Sequence, residues 1–231
     1  MNTLVIDAAS RLEIVAACSG NRSGNESHFV DSSHSAAILD SVERCLKKTG
    51  LALRDIDLIG VGVGPGSFTG VRIAVSTGRM LSQVLGKPLV GIKTHLLYAA
   101  SVNSGEGENI LIAFDAKKQK VFGALYRKIE ASEPPQEIVP PGDYPIRRLL
   151  ESIDASRTTY MAGSGIERYR AEISGVIAKR MMLQDYIPSG DSMCGLVLQT
   201  YREDPKGHED YNRVKPFYAR RSDAEEARGL S

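Results

Sequence analysis

The feature that most constrains this chain is a glycine-rich turn set between two apolar segments. Residues 56–63 form an apolar run of buried-strand length, and residues 71–85 space their apolar side chains for a helix. Between them stand Gly62, Gly64, Pro65 and Gly66. Pro65 fixes its own φ and donates no backbone hydrogen bond. The glycines admit close backbone approaches that a side chain would block. Ser67 or Thr69 can cap the following helix by accepting from its free first-turn N–H groups. Strand, turn and helix N-terminus together make an anion-receptive corner. The residue order is neither a P-loop nor a Gly-x-Gly-x-x-Gly fingerprint. On physics alone the turn is either a weak phosphate site or a joint that brings the helix tightly against the sheet.

A length of 231 residues suits one large domain or two lobes of about 100 residues each. A hydrophobic content of 42% with 25% charged residues is ordinary for a soluble globular protein. The formal net charge of +1 provides no general field to attract nucleic acid. Tryptophan is absent and aromatics make up only 6%, which leaves few platforms for stacking bases. Cys18, Cys45 and Cys194 are odd in number and far apart, as expected of reduced thiols in a cytoplasmic protein rather than a disulfide or zinc framework. The opening Met1-Asn2-Thr3-Leu4 shows no targeting signal. No apolar run approaches the ~20 residues of a membrane span.

Along the chain, residues 4–7 read as a buried strand ending in Asp7, residues 12–18 and 26–30 as its meander partners, and residues 36–49 as a helix closed by Gly50. After the glycine turn and its helix come a strand at 89–92 and a helix at 95–102 capped by Thr94. Residues 103–108 are the best lobe boundary, which gives expected lobes of 1–104 and 105–231. The second half then restarts like the first. Residues 110–116 end in Asp115-Ala116 as residues 4–8 end in Asp7-Ala8, and a second strand follows each, the weak internal repeat of a duplicated lobe. Residues 130–143 read as an extended connector, 145–152 as a helix, 158–162 as a strand, and Gly163-Ser164-Gly165 as a turn into a helix. Asp191 is expected to cap a final helix reaching Tyr201, and residues 222–231 to fray.

The wording of the central turn is more specific than its physics. Gly64-Pro65-Gly66-Ser67-Phe68-Thr69-Gly70-Val71-Arg72-Ile73 resembles the signature of the TsaB (YeaZ) family. Supporting landmarks are Ile6-Asp7, His34-Ser35, Pro88-Leu89-Val90-Gly91-Ile92, Asp115-Ala116 and the closing Pro216-Phe217-Tyr218-Ala219-Arg220. The resemblance is firm over residues 1–125 and looser beyond. It departs at three places: the family's Asp-Thr-Ser reads Asp7-Ala8-Ala9-Ser10 here, its His-Ser-Glu reads His34-Ser35-Ala36, and its Asp-Ala-Arg continues after Asp115-Ala116 as Lys117-Lys118.

The resemblance implies an α/β fold of two actin/Hsp70/sugar-kinase-like (ribonuclease-H-like) lobes with the second reduced. It further implies a non-catalytic, cofactor-free partner of a TsaD-type threonylcarbamoyltransferase, which makes the N6-threonylcarbamoyladenosine of tRNA. A TsaE-type P-loop ATPase would join the assembly, and tRNA would be contacted mainly through other subunits. The implied partner surface comprises His34 and Ser35 just before the first helix and Ile38 and Val42 on it, with Val71, Arg72, Val75, Gly78 and Arg79 of the signature helix. The same surface would support a homodimer. Two alternatives stay open. One is an actin-fold ATPase or kinase using Asp7, Gly64, Gly66, Ser67, Thr69 and Asp115, although neither Asp hairpin contains glycine. The other is a metallopeptidase, although none of His28, His34, His95 and His208 is four residues from another.

Overall fold

The structure is a computed structural model that describes residues 1–29 and 37–220. The expected site residues His34 and Ser35 and the tail 222–231 lie outside the described residues. Two five-stranded sheets form the frame, and they share one topology.

In the first, β1 (Thr3–Asp7), β2 (Leu12–Ser19) and β3 (Arg22–Phe29) make an antiparallel meander. β4 (Leu58–Gly62) then pairs parallel to β1, and β5 (Leu89–Ile92) parallel to β4. The spatial order is therefore β3-β2-β1-β4-β5. In the second, β6 (Asn109–Asp115), β7 (Val121–Arg127) and β8 (Gln136–Tyr144) repeat the meander. β9 (Thr159–Ala162) and β10 (Arg180–Leu183) repeat the parallel pair, giving β8-β7-β6-β9-β10.

The helices sort into layers. α1 (Ala37–Thr49) and α2 (Phe68–Leu85) cover one face of the first sheet, where Leu4, Ile6, Ile59 and Val61 pack with Ile38, Val42, Val71 and Val75. α3 (Thr94–Ala100) and α7 (Gly190–Glu203) lie between the two sheets, in a core that joins Val5, Ile14 and Leu58 to Ile110, Ile112 and Tyr126. α4 (Ile146–Glu151), α5 (Ser164–Arg168) and α6 (Arg170–Val176) cover the far face of the second sheet. The central strands β1 and β6 are apolar on both faces because both faces are covered, and they read in sequence as continuous runs. The second lobe is reduced in its helices: α4, α5 and α6 have 6, 5 and 7 residues against 13 and 18 for α1 and α2.

Several elements differ from the sequence expectation. Residues 136–144 are not a connector but strand β8, which carries Pro140 and Pro141 at the edge of its sheet, where a missing N–H costs no ladder bond. Thr94 does not cap α3; its hydroxyl donates to Asp7 Oδ2 instead. Ser189, not Asp191, caps α7. That helix follows the second sheet in sequence yet packs on the first.

Candidate functional site

The first corner is built where β1 ends. Asp7 is fully buried. Its Oδ1 accepts from Ala9 N at 3.2 Å and its Oδ2 from the Thr94 hydroxyl at 2.5 Å. Thr94 Oγ1 in turn accepts from Gly64 N at 3.2 Å. A Cβ on Gly62 would overlap the Asp7 carboxyl. No cation pairs with this carboxyl among the described residues. Burial therefore pushes its pKa up to about 6, against the opposing pull of the bonds from Thr94 and Ala9.

The glycine turn closes over this corner. Gly64 adopts φ +95°, in the region that favours glycine, and the Gly64–Pro65 peptide is cis. A Cβ at Gly66 would overlap the carbonyl of Ala9, and one at Gly70 the carbonyl of Ala8. Ser67 N donates to Ala9 O at 2.6 Å, and Ser67 Oγ caps α2 by accepting from Gly70 N at 3.3 Å. The turn thus rests on the backbone of the β1–β2 hairpin.

The second corner is built from the same Asp-Ala sequence and left open. Asp115 Oδ1 accepts from Lys117 N at 2.9 Å, and Oδ2 lies 3.2 Å from Lys117 Nζ and 3.6 Å from Arg168 Nη1. Partial burial raises its pKa, and the bonds and charges of Lys117 and Arg168 outweigh that to hold it below the usual carboxylate range. Lys117, Lys118 and Gln119 all have positive φ, which makes the hairpin tip three consecutive left-handed residues. Here too a turn follows the fourth strand. Gly163, at φ +105°, lies against Ala113 O, and Ser164 Oγ accepts from Asp115 N at 3.1 Å.

Between the lobes lies a cleft of about 270 Å³. Ser10, Arg11 and Tyr98 line it from the first lobe; Phe114, Ser164, Glu167, Asp185 and Tyr186 line it from the second half of the chain. Its back wall is aromatic. Tyr98 stands edge-on to Phe114 at 5.0 Å, shares a 2.9 Å hydrogen bond with Ser10, and receives one from Tyr186 OH on its carbonyl at 3.2 Å. Of these residues, sequence reasoning singled out only Ser164, within the Gly163-Ser164-Gly165 turn.

The residues expected at a partner surface divide sharply. Ile38 and Val42 of α1 and Val71, Val75 and Gly78 of α2 are core, because both helices pack on the chain's own first sheet, with Gly78 against Val61 and Leu89. Arg72 and Arg79 remain on the flank and bind the C-terminal segment. Arg72 lies over the Phe68 ring at 3.9 Å and donates to Tyr218 OH at 2.9 Å, while Arg79 donates to Val214 O at 2.8 Å. Phe217 N also donates to Val63 O at 2.7 Å, so residues 212–220 strap the turn and α2. What the outer surfaces of α1 and α2 do expose is Leu39, Met80 and Val84, the last 74% accessible.

A family model described as TsaD, tRNA N6-adenosine threonylcarbamoyltransferase, matches residues 28–139. The tRNA threonylcarbamoyladenosine biosynthesis protein TsaB of Escherichia coli (strain K12) is 31% identical over 131 residues, 56% of this chain and 57% of that protein. TsaB of Bacillus subtilis (strain 168) is 31% identical over 99 residues, 43% of each chain. YeaZ from Pseudomonas aeruginosa superposes with a TM-score of 0.77 at 22% identity, covering 94% of this chain and 99% of that one. Over the matched half the chain is similar to the TsaB (YeaZ) proteins. It spans about half the length of the curated TsaB relatives it matches. At the level of fold it has the two-lobed actin/sugar-kinase-like architecture, and the YeaZ superposition extends over nearly the whole of both lobes.

Within this TsaB-type frame, no group of three or more His, Cys, Asp or Glu could hold a metal ion among the described residues. His28 lies 3.4 Å from the buried Glu13, and His208 lies beside Tyr201. His95 is fully buried with Nε2 at 2.9 Å from Phe122 O, and burial pulls its pKa down to about 4. No described helix is long and apolar enough to cross a membrane.

Proposed function

We propose that this chain takes part in tRNA N6-threonylcarbamoyladenosine synthesis as a non-catalytic subunit that binds and activates a TsaD-type transferase. The names of the TsaB relatives support the pathway. The observation that carries the non-catalytic reading is the first corner. An actin-like nucleotide site needs free hairpin N–H groups and an accessible carboxylate; here the turn sits on Ala8 and Ala9, and Asp7 is sealed beneath Gly62 and Thr94. The docking surface is the outer side of α2 and α1, where Met80, Val84 and Leu39 stand exposed on helices whose inner sides are already satisfied. Arg72 and Arg79 flank it, held in place by the C-terminal strap. The free chain self-associates through the same surface. A TsaE-type ATPase joins through the complex, and tRNA is held mainly by the other subunits, in keeping with a net charge of +1. The protein works in the cytoplasm.

Calorimetric titration tests this reading, once with a TsaD-type partner and once with ATP–Mg. Partner binding without ATP binding supports it. ATP binding in the inter-lobe cleft without partner binding overturns it in favour of an ATPase or kinase. Met80→Glu and Val84→Glu are expected to weaken the partner by at least about tenfold, or about 1.4 kcal/mol, while the melting temperature is unchanged. Val75→Glu is expected to unfold the chain instead, because Val75 is core.

A further inference from the structure

Two of the three cysteines, distant in sequence, meet in the fold. Cys18 lies next to last in β2, opposite Thr3 in the β1–β2 register. Cys194 lies on α7 with its Sγ 3.9 Å from Thr3 O. Cys18 Sγ is 3.6 Å from Gly190 O, the carbonyl one helical turn before Cys194. Both contacts converge on the seam between β2 and α7, and so bring the two thiols to the same place. The two differ in access: Cys18 is half-buried and Cys194 is buried. They differ in acidity as well. The neighbouring Cys194 thiol pulls the Cys18 thiol below its usual value despite burial and the nearby Asp191, and the nearness of Cys18 together with burial pushes Cys194 up. Cys45 is a built-in contrast. It is buried, bonded to Val15 O and Gly24 O, and raised to about 11 by burial.

We propose that Cys18 and Cys194 form a peroxide-sensitive dithiol whose oxidation ties β2 to α7. The Cys18 thiolate attacks one oxygen of a hydroperoxide; the O–O bond breaks and the leaving oxygen departs, protonated, as water or alcohol. Cys18 is left as a sulfenic acid. The Cys194 sulfur then attacks the Cys18 sulfur, and the sulfenic oxygen leaves as water with the Cys194 proton. Two thiols are oxidised by two electrons and one peroxide is reduced. A thiol reductant reverses the step. Because α7 lies between the sheets and follows the second lobe in the chain, the bond would pin the returning chain to the first lobe.

The test is mild hydrogen peroxide treatment of the folded full-length protein, followed by non-reducing mass spectrometry. The expected product is a monomer lighter by two hydrogens, with a Cys18–Cys194 linked peptide, Cys45 still alkylatable, and full recovery with dithiothreitol. Cys194→Ser should leave a Cys18 sulfenic acid that dimedone traps, and Cys18→Ser should abolish both products. Circular dichroism of each variant confirms that it is folded. Overoxidised Cys18 without the link, a disulfide between copies, or Cys45 consumed as fast as Cys18 would each overturn the proposal.

Discussion

The two Asp-Ala corners start from the same sequence and topology and end in opposite states. Asp7 and Asp115 each close the first strand of a five-stranded sheet, and each is followed by a hairpin to the second. The difference comes from what the fourth strand delivers. After β4, a four-residue approach of Gly64-Pro65-Gly66-Ser67 lays backbone on backbone, and Thr94 adds a hydroxyl from a third element. After β9, the turn is shorter and the helix α5 has five residues. It covers the hairpin less and supplies Arg168, so Asp115 keeps cationic partners and contact with solvent. A repeated motif therefore fixes where a carboxylate sits in the backbone and leaves its chemistry to the neighbouring turn.

The strongest way to break this comparison is to add a methyl group to each turn. In Gly66→Ala the new Cβ overlaps the Ala9 carbonyl, which is itself held by Ser67 N, so neither backbone can retreat. A loss of about 3 kcal/mol or more is expected. At Gly165 the nearest atom is a side-chain methyl of Val121 at 2.8 Å, with Ala113 O at 3.0 Å, and a rotamer change can relieve part of the clash. A loss of about 1 to 2 kcal/mol is expected there. Urea denaturation of both variants measures the ratio; equal losses would mean that the two turns are packed alike.

Asp7 provides the next effect. Its folded pKa of about 6 lies above the ordinary aspartate value of 3.8. The folded protein therefore holds a proton that the unfolded chain has lost, and stability falls as pH rises between those two values, then levels off. The difference corresponds to about 2 to 3 kcal/mol. Asp7→Asn stays neutral throughout, so the variant should lack this fall and be the more stable protein at about pH 7.5. Denaturation at about pH 4 and about pH 7.5 checks it. A destabilised Asp7→Asn that has also lost nucleotide binding would instead point to a working carboxylate.

Much of this arrangement was legible in the sequence, and the failures share a cause. The strands at the centre of each sheet are apolar on both faces, and the glycine turn, the Ser67 cap and the Gly50 closure are local chemistry. What stayed hidden depended on partners far away in the chain. Thr94 looks like a cap until β1 brings Asp7 beside it. Gly70, Ala74 and Gly78 make a strip that fits a partner helix or the chain's own sheet equally well, and only the position of Val61 decides for the sheet. Pro140 and Pro141 argue against a strand unless β8 is known to be an edge. The return of α7 to the first sheet leaves no mark on residues 190–203 themselves. The cleft was missed because its lining comes from separate short segments, Ser10-Arg11 and Asp185-Tyr186 among them.

The smallest effect sharpens the contrast by its sign. Asp115 has a folded pKa below the ordinary carboxylate value, because Lys117 and Arg168 outweigh its partial burial. Its contribution is therefore present above about pH 4 and is lost as pH falls, the reverse of Asp7. Lys117 and Arg168 are solvent-exposed, with side-chain accessibilities of 70% and 52%, so water screens the pairs and the contribution stays below about 1 kcal/mol. Asp115→Asn should cost that little at neutral pH and nothing under acid. It should also lose the capping bond to Lys117 N only in part, since the amide oxygen still accepts. Added salt should shrink the difference further, whereas it should leave the Asp7→Asn difference almost untouched, because that carboxyl has no exposed partner to screen. A salt-insensitive Asp115→Asn effect would mean that the second corner is as closed in solution as the first.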